Sequence, residues 1–147
     1  MWRRPRPDPA AEAAWAGFLG FARALDEGSR ALLATVPSAR RPGAPLDASV
    51  AGFLAGLDAA RAELGAWDHP ALADARTATA AALDAAERRA RDLPAAAAGL
   101  DFEHRNERVA DVLDELLPVQ AVEQAVRALR RRGYPARAGG RQTRQGR

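Results

Sequence analysis

A chain of 147 residues with a net charge of +3 has room for one core of modest size, and the absence of cysteine excludes disulfide staples, thiolate catalysis and sulfur-ligated zinc or iron. Hydrophobic residues make up 48% of the chain, but alanine supplies much of that share, so the core is expected to be thin. Isoleucine and lysine are absent while arginine, alanine, glycine and proline abound, the bias of a GC-rich bacterial genome, so arginine used in place of lysine is not by itself evidence for phosphate recognition.

No stretch approaches the roughly 18 uninterrupted apolar residues of a membrane span. Glu12 and Arg23 bracket the short apolar run near the start, which fails as a secretory signal. The expectation is a cytoplasmic protein with no membrane partner.

In chain order, residues 1–8 are rich in proline and arginine and are expected to be a disordered basic arm. Residues 9–134 read as a single helical-bundle domain, and 135–147 as a disordered basic tail. Asp8 supplies an N-cap and Pro9 a first helical position. The stripe Ala11, Trp15, Phe18, Ala22, Leu25, Ser29, Leu32, Val36 keeps a four-three alternation across Gly28, which predicts one long helix ending before Pro37. A loop through Pro42 and Gly43 follows.

The stripe Leu46, Val50, Phe53, Leu57, Ala60, Leu64, Trp67 predicts a second helix ending near Gly65. Its flank of Ala48, Gly52, Gly56 and Ala60 is smooth enough for close approach by a neighbour. Asp68 or His69 is the expected cap of a third helix starting near Pro70, with the small-residue stripe Leu72, Ala75, Thr79, Ala82, Leu83, Ala86, Ala90, Leu93 and an end at Pro94.

Asp101 is the expected cap of a fourth helix, with Phe102, Val109, Val112, Leu113, Leu116 and Leu117 on one face. Val119, Val122, Val126 and Leu129 lie about 130° or more around the axis from that face, at 100° per residue. One straight helix cannot bury both sets, so Pro118 must kink or split it and re-aim the second half toward the core or toward a partner. The fold expectation is all-α, an antiparallel bundle of about four helices with the last interrupted at Pro118.

Charge is distributed unevenly. Arg127, Arg130, Arg131, Arg132, Arg137, Arg141, Arg144 and Arg147 close the chain with no acid after Glu123, whereas residues 8–126 hold eleven arginines against all nineteen acids. Eight arginines without acids can neutralise phosphates. Glu103, His104 and Glu107 sit at a spacing that two ligands of one metal can share, but without a second copy they read as a solvated first turn.

Arg23, Asp26, Leu32, Leu33, Val36 and Arg40 resemble the first helix of all-α chorismate mutases. That resemblance implies a small all-α enzyme with a substrate-binding arginine. The chain departs from the pattern in the Arg23–Asp26 spacing, in Ser29 where a second acid is usual, and in Pro37.

No phosphate-binding glycine loop, nucleophile elbow or paired catalytic carboxylates appear. The expected function is a non-enzymatic helical interaction module without cofactor or metal. Its expected partner is a protein or a second copy meeting Val119, Val122, Val126 and Leu129, with nucleic acid at the arginine tail as the alternative.

Overall fold

A computed structural model describes residues 8–132. The helices are α1 (Pro9–Leu33), α2 (Leu46–Glu63), α3 (Ala73–Ala97), α4 (Phe102–Asp114) and α5 (Val119–Arg132), with short 3₁₀ turns at Leu64–Ala66 and Pro70–Leu72. α4 and α5 are the two halves of one element broken at the proline, so the arrangement is the expected all-α one of four helices. Among the described residues no helix is long and apolar enough to cross a membrane.

α1 begins as expected: the Asp8 carboxylate accepts from the Ala10 N–H at 3.0 Å and Pro9 fills the first turn. It ends at Leu33, three residues before the last stripe position. Pro37 has no N–H for the Leu33 carbonyl, and the chain tightens instead into bonds from Thr35 N–H to Leu32 O and from Val36 N–H to Leu33 O.

α2 returns antiparallel along α1, and the small-residue flank is where they meet. A methyl group on Gly56 would lie 2.6 Å from the Gly28 Cα, and one on Gly52 would lie 2.8 Å from the Ala31 Cβ. A helical glycine costs about 1 kcal/mol relative to alanine, and direct backbone contact is what offsets that cost here. Ala48, the first residue of the expected flank, is exposed.

Trp67 is fully buried, with its ring centroid 5.0 Å from that of Phe21 and 6.1 Å from that of Phe18. His69 caps the turn after it, its Nδ1 accepting from the Ala71 N–H at 3.0 Å. α3 therefore begins at Ala73, three residues past Pro70. Arg61 ties α2 to α3 through Asp84 and Glu87, each at 3.0 Å.

Pro94 does not end α3, as expected, but lies inside it. A proline in the last turn deprives a single carbonyl, that of Ala90, of its partner, while the extra turn buries Ala97 beside Leu93. The stop is Gly99, at φ +74°, a left-handed conformation that glycine adopts freely.

The Asp101 carboxylate caps α4 by accepting from the His104 N–H at 2.9 Å. α4 buries only Val109 and Val112 fully; Leu113 and Leu116 are half-buried. Phe102 and Leu117, expected on the same buried face, are 54% and 56% exposed. They are nearly in phase with it but stand at the ends of the element, where phase alone brings no opposing side chain.

The break itself is residues 115–118, crossed by i→i−3 bonds such as Leu117 N–H to Asp114 O. Its rotation turns α5 back onto the bundle, antiparallel to α1. One continuous buried cluster joins residues of all five helices.

Candidate anion-binding site

The break decides where the α5 residues go. Of the four expected at an interface, Val122, Val126 and Leu129 are buried in the chain's own core, with α5 packed on α1 and α3. Val119 is half-buried and lines a surface cleft of about 270 Å³ between α1 and the elbow, with Phe18, Leu25 and Leu116 as apolar walls and Asp26 and Glu123 among its polar lining. Of the two directions open to the re-aimed stripe, it takes the core.

Burying that stripe orients the opposite edge of α5. Arg127, Arg130 and Arg131 are three and four residues apart and share one face. That face meets the second turn of α1, where the guanidinium carbons of Arg130 and Arg127 lie 5.0 and 5.6 Å from the Trp15 ring centroid. The indole is itself stacked on Phe18 at 5.8 Å, which fixes it to the core.

Carboxylates hold the two stacked arginines: Glu12 accepts from Arg130 Nε at 3.1 Å, and Glu123 pairs with Arg127 one turn away. Trp15, Arg127, Arg130 and Arg131 together line an open cavity of about 250 Å³. Arg131 and Arg132 are exposed and make no ion pair with another described residue. Arg137, Arg141, Arg144 and Arg147 lie outside the described residues.

Guanidinium groups keep their charge at all accessible pH values, so this cluster supplies fixed positive charge and planar surface, not proton transfer. Arginine over an indole contributes about 0.5–1 kcal/mol at an exposed site. Stacking thus pre-positions side chains that would otherwise sample many rotamers.

Sequence periodicity places Trp15 on the buried stripe of α1 and does not show its contact with the α5 arginines. Its signal was indirect: in an antiparallel bundle the second turn of the first helix meets the last turn of the last.

The other candidates are not assembled in this way. His104 Nδ1 lies 2.7 Å from the Asp101 carboxylate, which raises the imidazole above its ordinary value, with Glu107 adding to the effect. Asp101 is in turn held low, first by the His104 backbone N–H and then by its ring. Among the described residues no group of three or more His, Asp or Glu is placed to hold a metal ion.

Of the residues resembling a chorismate mutase helix, Asp26 is engaged with Arg30 at 2.9 Å, Leu32 is buried, Leu33 is exposed, and Arg40 lies in the exposed loop beyond α1. Leu33 and Val36 line one surface cavity and Asp26 lines another. Comparison of the chain with family models, curated proteins and solved structures returns no match.

Proposed function

We propose that the chain is a non-enzymatic binding module that presents the arginine-bearing end of α5 to nucleic acid. The observation carrying this reading is the cavity in which Trp15 holds two guanidiniums in place beside the unpaired Arg131. The sequence carries four more arginines after α5, Arg137, Arg141, Arg144 and Arg147.

The test is anisotropy of a labelled oligonucleotide titrated with the full chain at several salt concentrations. Each neutralised phosphate of a single strand contributes about 0.7 to the slope of log K against log salt. Replacing both Arg131 and Arg132 with Gln should therefore lower the slope by about 1.4 and weaken binding at low salt. An unchanged slope and affinity would overturn the reading.

A second reading, self-association, is favoured by the cleft at the elbow, where Val119 and Leu116 stay partly uncovered and Leu117 stands exposed next to them in the chain. Light scattering tests it: a dimer that Leu117→Asp converts to a monomer supports it, and a native chain that is monomeric at all concentrations rejects it.

A further inference from the structure

From the pairing of the arginines around Trp15 we infer that the site selects single strands, by stacking an unpaired base on the pile of guanidiniums and indole. This rests on the nucleic-acid reading above and adds which form of nucleic acid is bound, and through which contacts.

Four arginines stand at the end of α5, and they are not equivalent. Arg127 and Arg130 each have a carboxylate, Glu123 and Glu12, so much of their charge is already offset. What they add to the site is flat, weakly hydrated surface. Among the described residues Arg131 and Arg132 have no such partner, which leaves their charge for phosphate.

A cavity walled by an indole and two stacked guanidiniums therefore separates the two tasks: planar groups line it and unpaired charge stands at its side. Duplex bases cover one another's faces and offer a protein only edges and phosphates, whereas a single strand can turn a base face outward. Only the single strand uses everything the site provides. The open cavity of about 250 Å³ has room for a small planar group.

The alternative, that Trp15 merely props up arginines for phosphate contact, predicts different behaviour. Three probes separate the two: a thymidine oligonucleotide of roughly 20 residues, an abasic strand of equal length carrying the same phosphates, and a duplex of that length. Base stacking on aromatic residues is commonly worth tenfold or more in affinity per base. The full chain should therefore bind the thymidine strand at least about tenfold tighter than the abasic strand, and Trp15→Leu should erase that difference.

Arg127→Lys provides a second variant that keeps the charge and the fold but removes a planar group; it should shrink the same ratio. Circular dichroism of each variant checks the helices. Equal affinity for thymidine and abasic strands, or a ratio that neither substitution moves, overturns this inference while leaving nucleic-acid binding intact. Failure to bind any of the three probes overturns the proposed function itself.

Discussion

α1 has two seams with opposite chemistry. Toward α2 it presents Gly28 and Ala31, and the backbones approach until nothing larger than hydrogen fits between Gly28 and Gly56. Toward the last turns of α5 it presents Glu12 and Trp15, and the surface end of that seam is closed by charged groups stacked on an aromatic ring. The first arrangement tolerates no change and offers no surface. At its surface edge the second is closed by interactions worth little individually, which leaves those groups free to be exchanged for contacts with a ligand, while Val126 and Leu129 beneath them anchor α5. Under the proposed function, stability and recognition fall to different sides of one helix.

Substitutions sharpen this contrast. The largest effect is expected beneath the α5 seam, from Val126→Asp: a carboxylate in a fully buried position without a partner should cost at least about 3–5 kcal/mol and unfold much of the chain, measured by urea denaturation. Next is Gly56→Ala. In an open helix alanine would stabilise by about 1 kcal/mol, but here the new methyl meets the Gly28 backbone, which cannot rotate aside. A loss of about 1–3 kcal/mol is expected, and a gain would refute the close approach.

On the other seam Glu12→Gln should change stability by less than about 1 kcal/mol. It frees the Arg130 charge and so should tighten oligonucleotide binding at low salt.

The smallest effect concerns the α4 cap. His104 has a raised pKa, so its pairing contributes below the unfolded histidine value of about 6.5 and is lost as pH rises through the higher folded value. Asp101 has a lowered pKa, so its contribution is present above the unfolded carboxylate value and fades as pH falls through the folded one. Asp101→Asn should bring the His104 titration, followed by NMR, down toward the ordinary value. A titration that does not move would remove Asp101 as the cause.

Much of this was legible in the sequence where local rules act alone. The caps at Asp8 and Asp101, the stripes of α1 to α3 and the smooth flank of α2 follow from spacing and residue type. So does the necessity of a break at Pro118. Local rules failed where packing outweighs them. Pro94 is tolerated because one lost hydrogen bond is offset by burying Ala97, and Phe102 and Leu117, at the two ends of their element, are exposed despite their phase.

The direction taken by α5 after the break was open, since rotation toward α1 depends on which neighbour is free. The pile of Trp15, Arg127 and Arg130 joins residues more than a hundred positions apart. No periodicity within a single helix encodes it.

The most direct test maps the surface touched by a thymidine oligonucleotide through NMR shift changes in the full chain. Changes are expected at the Trp15 indole N–H and at the amide and guanidinium groups of Arg127, Arg130 and Arg131, with Gly28 and Gly56 silent. Changes centred on the elbow around Leu117, or no changes at all at low salt, would contradict it.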